Sequence, residues 1–212
     1  MKIVEEYKNP CRSRYVAKYN ALNEEQQKAW DAIDSLPKEK IYLKYIKRKR
    51  KPEVGAGTVF AMLLPENVYM VGKIIEDDLN LPTIEKGYFA VFISNIILKD
   101  LTEFSFELSE ENILIGPLIM NDGFWRNGTF YTIGYAEITQ KEKELSYGFY
   151  KIRLIPTEDK PLADKSYIVD VHGNIMEEEP QFLDFCAYVT ITGIERAIRQ
   201  ALIMHPELIK EV

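Results

Sequence analysis

The groups in this chain that could do chemistry are carboxylates, two thiols and two imidazoles. Acidic residues come in runs: Glu76-Asp77-Asp78, Glu110-Glu111, Glu142 with Glu144, and Glu177-Glu178-Glu179. Paired carboxylates work as general acid and base when they face one another across a cleft. These runs fall instead where loops and turns are expected, and solvation is their ordinary explanation. The functional alternative is an acidic face that docks on a basic protein, where charge complementarity speeds association and selects the partner. Such a face needs aromatic anchors, and Phe124 and Trp125 follow directly on Asp122. The expected partner-binding residues are therefore Glu76, Asp77, Asp78, Asp122, Phe124 and Trp125.

Other chemistry is poorly supplied. A metal site needs several His, Cys or carboxylate groups at ligand spacing, and the chain has only two histidines, His172 and His205. Cys186 lies in the apolar stretch FLDFCAY, a setting that suits a buried, inert thiol. With Cys11 the only other cysteine, no disulfide framework is expected. Gly55-Ala56-Gly57 precedes a strand pattern and has Phe at position 60, so it lacks both the context and the third glycine of a dinucleotide fingerprint. No catalytic, cofactor-binding or metal-binding residue is expected.

Charge is unevenly distributed. Residues 1–51 hold 14 Lys and Arg against 7 Asp and Glu, whereas residues 52–212 hold 13 against 26. Eight of the fourteen residues in Lys38–Lys51 are basic. That run reads as a connector or solvated face, as a contact to phosphate, or as a strip lying against the acidic body of the same chain. Nucleic acid is not the expected partner, because the remainder of the chain repels it. Glu5 and Glu6 stand where a signal peptide would need apolar residues. No run approaches the roughly 20 apolar residues of a membrane helix. A soluble cytoplasmic protein is expected, with no membrane partner.

The elements that must position these groups are mostly strands. Asn23 with Gln26 forms a capping-box pattern ahead of an apolar stripe at Ala29, Trp30, Ile33 and Leu36, which predicts a helix stopped by Pro37. Thr58–Leu64 and Val68–Glu76 read as a hairpin, with Gly72 marking a bulge or bend. Gly87–Ile97 has apolar residues on both faces and is expected to be central. Ile113–Met120 is an apolar block interrupted by Gly116-Pro117, followed by turns at Asn121-Asp122-Gly123 and Asn127-Gly128 with Trp125 between them. Two turns so close suit the corner of a small barrel. Phe130, Tyr131, Ile133 and Tyr135 begin a strand expected to run to Thr139, and Leu145–Ile155 and Tyr167–Val171 are further strands, with a polar turn at Gln140–Glu144 and a turn at His172-Gly173-Asn174. A final helix is expected with Thr192 as its cap and Glu195 completing a capping box.

Two stretches resemble the immunity protein 26 family of bacterial polymorphic toxin systems. Val54–Leu64 followed by Val71-Gly72-Lys73-Ile74-Ile75 is similar to that family's first hairpin, with Thr58 in place of an acidic residue and Lys73 in place of arginine. Gly116-Pro117-Leu118-Ile119 with Trp125 and Gly128 is similar to its distal half. The resemblance spans roughly residues 50–155 and implies a mostly β, non-enzymatic protein that binds and neutralises a cognate toxin in the cytoplasm.

The expected fold is therefore mainly β within an α+β class, a small, strongly bent barrel-like sheet with flanking N-terminal and C-terminal helices. Residues 1–52 form a helical extension with a basic connector, and residues 53–212 the barrel-like domain with its C-terminal helix. The expected partner is a toxin, and the acid excess suits a basic one. The alternative is an SH3-like barrel that binds a small molecule or peptide in its own groove, which a large concave apolar pocket would favour.

Overall fold

The computed structural model describes residues 9–35, 42–156, 158 and 163–210. The expected stop of the second helix at Leu36-Pro37, the first part of the basic run and most of the loop after Pro156 lie outside these residues. Two helices lead: α1, Pro10–Asn20, and α2, Glu24–Ser35. The capping box ahead of α2 is present, with Gln26 N donating to Asn23 Oδ1 at 2.9 Å and Asn23 N to Gln26 Oε1 at 3.1 Å. Trp30 on α2 is buried and donates through Nε1 to the Tyr15 hydroxyl of α1 at 2.7 Å. The two helices are thereby locked together, and α2 packs on the C-terminal helix.

The body is built on five antiparallel strands: β1, Thr58–Leu63; β2, Tyr69–Glu76; β3, Tyr88–Leu98; β4, Ile113–Asn121; and β5, Phe130–Tyr135. Their order is β4-β3-β2-β1-β5. β4 continues through Gly116-Pro117, whose peptide bond is cis, and the expected interruption is a shift in its pairing with β3 at that point. The barrel does not close: β4 and β5 are the two outer strands, β4 bridged at Ile119 to Tyr188, and the class is α+β with an open sheet. Bending comes from register shifts in the β1–β5, β2–β3 and β3–β4 pairs. The shift beside Gly72 sits where a Cβ would approach Phe60 Cζ to 2.4 Å, so a glycine is required for the two strands to meet.

The chain must travel from one sheet edge to the other between Asn121 and Phe130. It does so across one face, as the short helix α3, Gly123–Arg126. That crossing places Trp125 and Phe124 under the sheet, with Phe60 and Phe130 stacked at 4.6 Å, Phe124 and Phe130 at 4.8 Å, and Trp125 edge-on to Phe60 at 5.2 Å. The opposite face is covered by the irregular segment 99–108 through Leu101, Phe104 and Phe106. Both faces of β1 to β3 are therefore buried, as the apolar filling of β3 led one to expect.

A second sheet has the order β10-β6-β9, from β6, Tyr147–Lys151, β9, Tyr167–Val169, and β10, Phe182–Phe185, with a separate pair of β7, Leu154–Ile155, and β8, Ala163–Asp164. Gln140–Lys143 is a helical turn, α4, and not a simple polar turn. Thr139 caps it, and Glu142 returns to the Thr139 N–H. Glu142 also reaches Lys73 Nζ through both carboxylate oxygens, at 2.7 and 2.9 Å, with both side chains fully buried. The position that stands for arginine in the first hairpin is thus one half of an internal ion pair.

The last long helix, α5, is Ile191–Met204, followed by α6, Glu207–Lys210. Its cap is Thr190, whose hydroxyl accepts from Gly193 N at 3.2 Å, and not Thr192. Glu195 is not part of a capping box either. Its carboxylate accepts the backbone N–H groups of Tyr42 and Leu43 at 2.7 and 2.9 Å and fastens the strap 42–51 to the body. Farther along, Ile46 N donates to Gly128 O and Lys49 N to Trp125 O.

Candidate partner-binding surface

The six expected contact residues do not form one exposed face. Phe124 is 6% exposed and Trp125 1%, so both belong to the core and neither offers a side chain to a partner. The correction follows from topology: the edge-to-edge crossing has the sheet on one side and the strap and α5 on the other. Asp122 is half-buried and paired with Arg126, whose Nε donates to it at 2.8 Å. Glu76 is half-buried and accepts the N–H groups of Asp77 and Asp78, each at 3.0 Å. Of the six, only Asp77 and Asp78 are exposed.

These two acids do have an exposed aromatic neighbour. Asp77 Oδ2 accepts Ala56 N at 2.9 Å and so holds the Gly55–Gly57 turn from one side. On the other side Gly57 bonds Ala136 N, and the Tyr135 ring lies over Gly57, where a Cβ would approach Cε2 to 2.6 Å. Gly57 has φ +89°, a conformation that favours glycine in any case. Tyr135 is 63% exposed and Glu137 beside it is exposed. Tyr135, Asp77, Asp78 and Glu137 thus gather at the end of the sheet where β1 begins and β2 and β5 finish. Sequence reading placed Tyr135 inside a strand expected to reach Thr139, whereas β5 ends at Tyr135; the signal available was its place beside Glu137, beyond the apolar part of the run.

Among the described residues no group of three or more His, Cys, Asp or Glu side chains could hold a metal ion. Both cysteines are buried free thiols. Burial, reinforced by the charge of Asp184, pushes Cys11 up to about 12, and burial also raises Cys186, so neither is a ready nucleophile. No helix among the described residues is long and apolar enough to cross a membrane.

A second concave feature lies on another side. A cleft of about 650 Å³ opens between α1, β4, β10 and α5. Ile113, Leu114, Phe182 and Met204 line it with Asp184 and Gln200, and the Gln200 Nε2 is buried without a hydrogen-bond partner among the described residues. Burial pushes Asp184 up to about 6, against the opposing pull of the Phe185 N–H and the Lys18 charge. A carboxyl whose pKa is raised on folding contributes stability below its unfolded pKa, and loses that contribution as pH rises through the folded value. Asp184→Asn should therefore leave stability at pH 4 nearly unchanged and raise it at pH 7.5. The shift sets a ceiling of about 3 kcal/mol, which partial exposure reduces to about 1. Urea unfolding of both proteins at the two pH values checks this; an equal gain at pH 4 would point to packing and not to charge.

A family model described as immunity protein 26 matches residues 55–160, a stretch that holds all five strands of the main sheet, α3, α4 and β6. No curated protein matches the chain, and no solved structure does.

Proposed function

We infer the function from one premise: the chain belongs to the immunity protein 26 family. On that premise it is an immunity protein that binds a cognate toxin in the cytoplasm and neutralises it by occlusion, without catalysis of its own. The observation that carries this reading is the family match, which also contains Asp77, Asp78, Tyr135 and Glu137. We place the toxin contact at that end of the sheet. The acids there would steer a basic partner into encounter, and the exposed Tyr135 ring would supply the desolvated anchor that charges alone do not.

The test is recovery of the tagged protein from its native host, comparing wild type with Tyr135→Ala/Asp77→Lys/Asp78→Lys. Wild type should retain a toxin in near-equal amount, and the purified pair should bind about 10- to 100-fold more weakly in the variant. Loss of the Asp77 acceptor for Ala56 N should cost about 1 kcal/mol, so urea unfolding of the variant is measured alongside to show that it stays folded. Undiminished binding by the variant would move the contact elsewhere.

The cleft favours a second reading, a module that takes a small molecule or peptide in its own groove. Its volume is in the range of ligand sites, and the Gln200 amide has a donor to offer. Recovery of a retained metabolite with no toxin would put this reading first.

A further inference from the structure

The strap that follows Glu195's anchor carries Lys47, Arg48, Lys49, Arg50 and Lys51, five consecutive cations that are all exposed. Among the described residues none of them forms an ion pair, although the body from residue 52 onward holds 26 carboxylates. The strap is nonetheless fixed. Leu43 is buried in the core at one end, Ile46 N and Lys49 N bond Gly128 O and Trp125 O at 2.9 and 3.1 Å, and Arg48 N bonds the Tyr45 hydroxyl at 3.0 Å. Tyr45 is 64% exposed and covers Gly128, where a Cβ would approach its ring to 2.3 Å. The fold thus holds a row of cations beside an aromatic ring, without an ion pair to any of them among the described residues.

We propose that this strap is a second docking surface, and that its occupant is an acidic patch on the protein partner. The proposal rests on the reading of the chain as a toxin-binding protein. Two classes of anion could meet five cations. Nucleic acid is anionic along its whole length, about one charge per 1.7 Å of duplex, so docking it would also bring it against the acid excess of the body. A protein can be acidic in one patch and basic in another, and only such a partner complements a chain with a basic strap and an acidic sheet end. The strap precedes residue 55 and so lies outside the stretch that the family model matches.

Anisotropy of a labelled decaglutamate peptide and a labelled ten-nucleotide single-stranded DNA, each titrated with the purified full chain, tests the charge preference. The comparison protein is K47Q/R48Q/K49Q/R50Q/K51Q, whose thermal unfolding is measured alongside to show that it folds. Titrations are run at low salt and again at about 150 mM, where the Debye length is about 8 Å. Wild type should bind the peptide, the variant at least tenfold more weakly, and added salt should narrow the difference. DNA bound more than tenfold tighter than the peptide would overturn the proposal in favour of nucleic acid. Equal peptide binding by both proteins would overturn it outright. In capture from the native host, a toxin retained by wild type and lost by the variant supports the strap contact. A toxin retained equally by both removes the strap and leaves the immunity reading standing. Wild type retaining no toxin defeats the immunity reading, while the peptide titration still decides whether the strap takes acidic protein sequence.

Discussion

Replacing Glu142 with leucine is expected to destabilise the fold by about 3–5 kcal/mol, the loss typical of breaking a buried pair by removing one partner. The substitution leaves the Lys73 ammonium fully buried with one remaining acceptor, Phe106 O at 3.3 Å. It also strands the N–H groups of Leu108 and Thr139, which the same carboxylate accepts at 2.6 and 2.9 Å. Lys73→Met should be milder, because the carboxylate keeps both backbone donors. The asymmetry is the specific claim: the acid has three partners from three elements, the base one good one. Lys73→Met/Glu142→Gln should recover most of the loss, since no charge is left buried and the glutamine oxygen can still accept from Leu108. Urea unfolding of the two singles and the double decides it; a Lys73→Met loss larger than that of Glu142→Leu would sink this account. The pair matters beyond stability because Lys73 lies three positions before Glu76 on β2, so it ties α4 and the covering segment 99–108 to the strand that presents Asp77 and Asp78.

This pair also shows where sequence reading stops. Lys73 was legible as the residue in the arginine position of a family hairpin, and Glu142 as one of several loop carboxylates, but nothing local joins residues 69 positions apart. The Asn23–Gln26 capping box was legible because every atom in it belongs to four consecutive residues. The Thr192–Glu195 pattern looked the same and is not one, because the N–H groups of Tyr42 and Leu43 compete for that carboxylate from across the chain. Strand positions in the hairpin and in β3 followed from apolar patterning. The open sheet did not, since closure depends on whether β4 meets β5, and no pattern within either strand states that. The same gap displaced the candidate site: acids could be located by counting, but which aromatic stands beside them depends on the path of the chain between the sheet edges.

Trp125→Ala is expected to lower stability by about 3–5 kcal/mol, as for other buried Trp truncations, and to lower the melting temperature by roughly 6–20 °C for a chain of this length. The indole packs edge-on against Phe60 and Phe130 at 5.2 and 5.3 Å and donates through Nε1 to Thr132 Oγ1 at 3.1 Å. Its removal empties the centre of the core and leaves the Lys49 and Thr129 contacts to the crossing segment without a packed floor. Tyr135→Ala, in contrast, removes a ring that is 63% exposed and should leave the melting temperature nearly unchanged. The two substitutions therefore separate the two ways an aromatic beside an acid can matter. If the crossing were a surface anchor, Trp125→Ala would melt like wild type and lose the toxin; if it is core, stability falls first and binding falls only with the folded fraction. Tryptophan fluorescence gives an independent reading in a Trp30→Phe background, where Trp125 is the sole indole left of the two in the chain. Emission should be blue-shifted and resistant to iodide, because the side chain is 1% exposed. Ready quenching would place it at the surface and return it to the list of partner contacts.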